Sequence, residues 1–261
     1  MPLRVAFLGP AATFGAHAMH APADGVDPVF ADPRHATPLD GADVVIALAP
    51  SGPPPDTGAA TLAVIGPDDA APEGFDRILR TPGPELAQPA WRSRPLPVDD
   101  RLYGDPTPSA QPPRALFVGR ATPRREWILT PAKHDHDVVH YTHGLTGDAL
   151  AEALRKADVG IALNAEHEHG FPSQTLLHLA AGQLLLSERL TPGCGLEPGI
   201  DFLEIDSRDH LLTLLIQLRW RPDAYERIRV RGRLKADEHR ASRVWPRIAR
   251  DLLHDLRVFG R

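Results

Sequence analysis

The stretch richest in groups that could do chemistry is ALNAEHEHGFPSQTLLHLAAGQLLLSE, residues 162–188 of this 261-residue chain. An apolar run ends at Leu163, and a polar turn holding Asn164, Glu166, His167, Glu168 and His169 follows it. Gly170-Phe171-Pro172-Ser173 then opens an apolar helical segment. A glycine turn at a helix start presents unpaired backbone N–H groups and the positive end of the helix dipole, which together suit a phosphate or carboxylate. A second group is cationic: Arg120 closes another apolar run, and Arg124 and Arg125 lie just downstream. A guanidinium neutralises a phosphate and can bond two of its oxygens at once. His143 follows the run ending at Tyr141 and precedes Gly144, which places it on the same sheet edge as Arg120. On spacing alone, the turn also fits an ordinary strand-to-helix connection, and the arginines fit the surface of an Arg-rich chain. His134, His136, His140, His143, His167 and His169 have spacings compatible with metal ligation, but there is no HExxH and the single cysteine excludes a cysteine site. No metal is expected.

These groups need a frame to hold them. Apolar runs bounded by turn residues predict parallel strands at Arg4–Leu8, Val26–Phe30, Val44–Leu48, Leu62–Ile65 and Arg77–Leu79, with one helix over Ala11–Met19. Six prolines between Pro95 and Pro113 read as an extended linker. Beyond it, strands at Ala115–Val118, Val138–Tyr141, Val159–Leu163, Leu184–Leu186 and Phe202–Ile205 enclose helices at Arg124–Ala132, Thr146–Ala157 and Ser173–Ala181. From His210 the chain reads as helical to its end, broken at Pro222 and bent near Pro246. Strand-helix alternation with short links makes a doubly wound parallel sheet, whose binding loops follow the carboxyl ends of its strands. The expected organisation is a reduced Rossmann-like domain at residues 1–95, a linker at 96–113 and a Rossmann-like domain at 114–261 that includes the terminal helices.

Three features of the second part resemble the nucleotide-sugar-binding domain of group 1 glycosyltransferases of GT-B architecture, nearest the spore-maturation-type branch. They are Leu116-Phe117-Val118-Gly119-Arg120 with Arg124-Arg125, Ala157 through Asn164, and Gly170-Phe171-Pro172 with Leu179-Ala180-Ala181-Gly182 downstream. The resemblance covers about residues 114–255 and implies an α/β fold of two Rossmann-like domains. It implies a diphosphate clamp at Arg120, with Arg124 and Arg125 in the place of a downstream lysine. It also implies that the helical C-terminus, Tyr225 through Phe259, crosses back onto the N-terminal domain. The family carries two glutamates in the third feature, and counting back from Gly182 puts His169 and Leu177 on those positions. Glu168, one residue away, is the nearest substitute for the first, and His178 adjoins the second. The resemblance thus points to hexosyl transfer with Arg120, Arg125 and His143 near the reacting groups. Arg124, Asn164, Glu168, His169, Gly170, Phe171, Pro172 and Ser173 would then hold the donor.

Composition bounds the partners. Hydrophobic residues at 42% and charged residues at 24% are ordinary for a globular chain long enough to bury a core. Cys194, the only cysteine, cannot form an internal disulfide, so a cytoplasmic compartment is expected. No apolar run approaches the ~18 residues a membrane span needs. A net charge of −5 argues against a nucleic-acid partner. Residues 1–113 hold 21 of the 28 prolines and 7 arginines against 14 acids, whereas residues 114–261 hold 22 basic residues against 20 acids. An anionic ligand therefore belongs on the second part. The expected function is transfer of a sugar from a nucleotide-diphosphate donor to a glycan or small-molecule acceptor, with no cofactor. The alternative is a degenerate, non-catalytic relative that binds a nucleotide, a glycan or a partner protein. The oligomeric state is not legible.

Overall fold

The computed structural model describes residues 1–30, 39, 41–83, 90–106, 112–143, 145–165 and 170–260. The chain forms two units: Met1–Asp100 with His239–Arg261, and Arg101–Glu238.

In the first unit β1 (Leu3–Leu8) leads into a short helix, α1 (Ala11–His17). Strands β2 (Val26–Phe30), β3 (Val44–Leu48), β4 (Ala60–Ile65), β5 (Arg77–Arg80) and β6 (Arg92–Ser93) follow. All pair in parallel, in the order β2-β1-β3-β4-β5-β6. Every residue of β3 and β4 is buried, as expected for parallel strands covered on both faces. Gly9 ends β1 with φ 157°, and a Cβ there would fall 2.6 Å from the carbonyl oxygen of Leu48. Only glycine lets β1 turn this close to the end of β3.

The second unit holds β7 (Ala115–Val118), α2 (Pro123–Asp135), β8 (Val138–Tyr141), α3 (Gly147–Arg155), β9 (Val159–Ala162), α4 (Thr175–Ala180), β10 (Leu184–Ser187), β11 (Leu203–Glu204), α5 (Arg208–Trp220) and α6 (Glu226–Ala236). Its sheet is parallel, in the order β11-β10-β9-β7-β8. The chain runs outward from β7 to β8 and then crosses to the other side at β9, so the topological switch lies between β7 and β9, where doubly wound sheets bind ligands. Helix α2 starts where a capping residue and a proline demand: the Thr122 hydroxyl accepts from Arg125 N at 3.3 Å, and Pro123 takes the first helical position. Thr146 precedes α3 but makes no side-chain cap bond.

The final helix, α7 (Ala241–Phe259), packs in the first unit, as the resemblance implies for the C-terminus, and so lies outside the expected domain of residues 114–261. Its buried stripe, Val244, Trp245, Ile248, Ala249 and Leu252, joins Val5, Phe7, Ile46 and Leu62 in one core. Trp245 donates from Nε1 to the His17 carbonyl at 2.6 Å, and Arg77–Asp255, Arg92–Asp251 and Arg250–Asp24 ion pairs tie the helix down. A sheet with only one short helix among its described connections needs such a cover. Helix α6 stays in the second unit, so only the later part of Tyr225–Phe259 crosses. The segment from Pro95 is also no loose tether: Val98 is fully buried and bridges Arg240, while Gly104 N bonds the Ala180 carbonyl at 3.0 Å and Tyr103 the Ala236 carbonyl at 2.8 Å.

Candidate functional site: the switch point of the second sheet

The carboxyl ends of β7, β9 and β10 bring three arginines and a glutamate together. Arg125, in the first turn of α2, is buried and donates from Nε and Nη2 to the Leu163 carbonyl at 3.2 and 2.7 Å. It also reaches the carbonyls of Asn164 (3.2 Å) and Arg120 (3.0 Å). One guanidinium therefore ties the turn after β7 to the turn after β9. Burial lowers its pKa; the Glu188 carboxylate opposes that, and Arg124 and Arg120 add to it. Arg124 forms a two-pronged ion pair with Glu188, one arm at 3.0 Å from Nη1 to Oε2 and the other from Nη2 to Oε1. Glu188 follows β10, is buried, and also accepts from Asn164 N at 2.7 Å.

Arg120 is exposed at the end of β7, and its side chain has no hydrogen-bond or ion-pair partner among the described residues. Among the described residues three guanidiniums thus face one carboxylate here, and Arg120 is the one whose side chain has no partner among them. Its backbone turn is held from below: Gly119 offers its carbonyl to His140 Nε2 at 2.8 Å, and His140 in turn lies 3.2 Å from Glu126 and 3.0 Å from Lys133. That histidine is a support, not a ligand. Among the described residues no group of three His, Cys, Asp or Glu side chains could hold a metal ion.

Asn164 belongs to the cluster through its backbone, and its side-chain Nδ2 is buried without a partner among the described residues. Gly170 fits against it so closely that a Cβ would lie 2.6 Å from Asn164 Oδ1. Gly170 does not open the helix, however. It forms a parallel bridge with Leu190, and α4 begins only at Thr175, whose N–H is taken by the Pro172 carbonyl at 3.0 Å. The expected anion cradle at Gly170–Ser173 thus precedes the helix: Phe171 is half-buried, Pro172 is buried, and the exposed Ser173 lies in the turn that leads into α4. The helix behind it has six residues. Glu168 and His169, with Glu166 and His167, lie outside the described residues. His143 is exposed, bonds Thr142 at 2.7 Å and makes no contact with the arginine cluster among the described residues.

The position of the expected second glutamate and its neighbour are core. Leu177 is buried, and His178 is sealed beneath it against Gly160, with Nδ1 2.6 Å from Gln183 Oε1. Burial lowers the pKa of His178 to about 4. Sequence reasoning passed over Glu188. The available signal was a carboxylate directly after the strand Leu184–Ser187, at the same sheet edge as three arginines.

No known protein family matches the sequence, and no curated protein does. Solved structures resemble its fold. An α-glucosyltransferase in complex with UDP-glucose and DNA containing an abasic site is similar at TM-score 0.59 and 10% identity, over 97% of this chain and 100% of its own. A DNA-modifying β-glucosyltransferase is similar at TM-score 0.57 and 7% identity, over 96% and 99%. Sucrose-phosphate synthase from Thermosynechococcus elongatus follows at TM-score 0.53 and 10% identity, over 98% of both chains. The fold is the two-domain, Rossmann-like GT-B architecture of glycosyltransferases.

Proposed function

We propose that this protein transfers a glycosyl group from a nucleotide-diphosphate sugar, as a group 1-type GT-B enzyme, with the donor on the second unit and the acceptor on the first. The observation that carries the reading is Arg120: an exposed guanidinium, without a partner among the described residues, at the switch point of a doubly wound sheet. Cleaving the bond from the sugar to the diphosphate leaves negative charge on the departing phosphate oxygen, and a preorganised cation there lowers the barrier. Arg120 makes direct contact with that phosphate. Arg125 and Arg124 are spent on carbonyls and Glu188, so they fix the Arg120 turn and add positive potential at longer range. The solved neighbours named above include one in complex with UDP-glucose, which makes a uridine nucleotide the first ligand to try.

Calorimetric titration with UDP and GDP tests this. Arg120→Ala should weaken binding by about 1.5 to 3 kcal/mol, the loss expected for a charge-assisted hydrogen bond. The unfolding midpoint should stay in place, because the Arg120 side chain has no partner among the described residues and the alanine variant keeps the backbone carbonyl that Arg125 bonds. Unchanged affinity in the folded variant would remove Arg120 from the site.

One observation favours a second reading, binding without transfer. Leu177, at a position where the resembled family carries glutamate, is buried in the helix and can accept no hydrogen bond from a ribose. Tight nucleotide binding with no release of UDP from UDP-glucose, across glycan and small-molecule acceptors, would decide for it.

A further inference from the structure

A cavity of about 480 Å³ opens in the first unit at the amino ends of β5 and β6. Phe75 and Ile78 from the start of β5, Trp91 just before β6 and Phe259 at the end of α7 line it, together with Arg77 and Asp255. Doubly wound sheets hold their reacting ligands at the opposite edge, beyond the carboxyl ends of the strands. This cavity is therefore a place to hold a ligand and not one where it reacts.

Its polar floor is fixed. All three nitrogens of the Arg77 guanidinium bond the protein: Nε donates to Asp255 Oδ2 at 2.6 Å, Nη1 to the Asp76 carbonyl at 2.7 Å and Nη2 to the Gly260 carbonyl at 2.9 Å. Asp255 Oδ1 has no partner among the described residues. The aromatic wall is less well covered. Trp91 is half-buried against the core, its N–H bonds the Ile78 carbonyl at 2.9 Å, and Arg92 lies 4.5 Å over one face of its ring. Phe75 is half-buried, and Phe259 is 76% exposed.

Exposed apolar surface gathered around a fixed polar group marks a binding site. A fatty chain would cover the rings but leave Asp255 Oδ1 desolvated without a hydrogen bond. A cation, which aromatic rings attract, would settle beside the Arg77 guanidinium, against a carboxylate that Arg77 already answers. A pyranose ring suits both walls. Its C–H face is apolar and packs on an aromatic ring with release of water, while its hydroxyls donate to a carboxylate oxygen. We propose that this cavity binds a hexopyranose unit of a neutral glycan, with ring carbons against Phe75, Trp91 and Phe259 and a hydroxyl donating to Asp255 Oδ1. The volume is that of an ordinary small-ligand site. The site stands whether or not the chain itself transfers sugars.

The chain has four tryptophans, so labelling with 5-fluorotryptophan gives four 19F signals, and that of Trp91 is identified by its loss in Trp91→Phe. Maltotriose, cellotriose and mannotriose are the probes. At least one of them should shift the Trp91 signal saturably in the millimolar range and leave the signals of Trp127, Trp220 and Trp245 in place. Phe259→Ala, an exposed substitution in the last turn of α7, should weaken that response roughly twofold to tenfold, the range for one aromatic contact. The site is overturned if no trisaccharide moves Trp91, if the exposed Trp127 and Trp220 move equally, or if Phe259→Ala leaves the response unaltered. Tetramethylammonium chloride acting at lower concentration than every sugar would overturn the glycan assignment in favour of a cation.

Discussion

A methyl group added at Gly160 would overlap Cγ and Cβ of His178, and both residues are buried between β9 and α4. Gly160→Ala should therefore destabilise the protein by about 1 to 3 kcal/mol, the usual cost of overpacking a rigid core. Chemical denaturation measures it, and combining it with His178→Ala should recover part of the loss. The same histidine sets a pH dependence. Gln183 donates its amide to the Leu154 carbonyl at 2.6 Å and so turns its own oxygen to His178, which makes Nδ1 the protonated nitrogen. With a folded pKa of about 4 against 6.5 for an unhindered histidine, the unfolded chain binds more protons below pH 6.5. Stability is thus full above that pH and falls as pH drops toward 4, by about 2 kcal/mol between pH 7.5 and 5 from this group alone. His17, bonded to the Pro97 carbonyl at 2.7 Å and also lowered by burial, acts in the same direction. His178→Gln should flatten the slope in that window; an unchanged slope would mean that His178 is charged in the folded protein.

At the scale of elements, the end of the second unit's sheet rests on α2 being fastened to β9 and β10. Arg125 bonds carbonyls from two strand ends, Arg124 bonds Glu188, and the Thr122 hydroxyl donates to the Ala165 carbonyl at 3.0 Å. Glu188→Gln keeps the shape but removes the charge that holds both Arg124 and Asn164 N. It should cost about 1.5 to 3 kcal/mol of stability and weaken UDP binding through the loosened Arg120 turn. Loss of stability with undiminished UDP affinity would show that the turn does not depend on the pair. Helix α4 teaches a related point. Its start is expected at Ser173 because Gly170-Phe171-Pro172 resembles a helix-opening turn, yet Gly170 bridges Leu190 and the helix begins at Thr175. A glycine pattern records that the backbone comes close to something; here the neighbour is the Asn164 side chain.

At the scale of the molecule, the first unit is completed by the end of the chain. Trp245 is fully buried, 5.5 Å from the ring of Phe7, and its stripe covers one face of β1, β3 and β4. Trp245→Ala should cost about 3 to 5 kcal/mol, in the range for large buried aromatics. Hydrogen exchange should report that loss in β1, β3 and β4 and leave β7, β9 and β10 protected. Equal loss of protection in both sheets would mean that the units do not unfold separately.

The strands were legible from the sequence alone: Val44–Leu48 and Ala115–Val118 lie where apolar runs between turn residues place them, because a buried strand must be apolar along its own length. So was the location of Arg120 at a sheet edge, since it follows directly from where β7 ends. The destination of α7 was not readable from the residues: its stripe says that one face is buried, while the partner surface lies in segments such as His17, 228 residues away. Nor was the pairing of Arg124 with Glu188, across 64 residues, or the sealing of His178 against Gly160. Periodicity and turn chemistry are properties of neighbouring residues and can be read along the chain. Which charge is answered depends on surfaces that meet only when the chain has folded, and that is why Arg125 became a structural tie while the Arg120 side chain has no partner among the described residues.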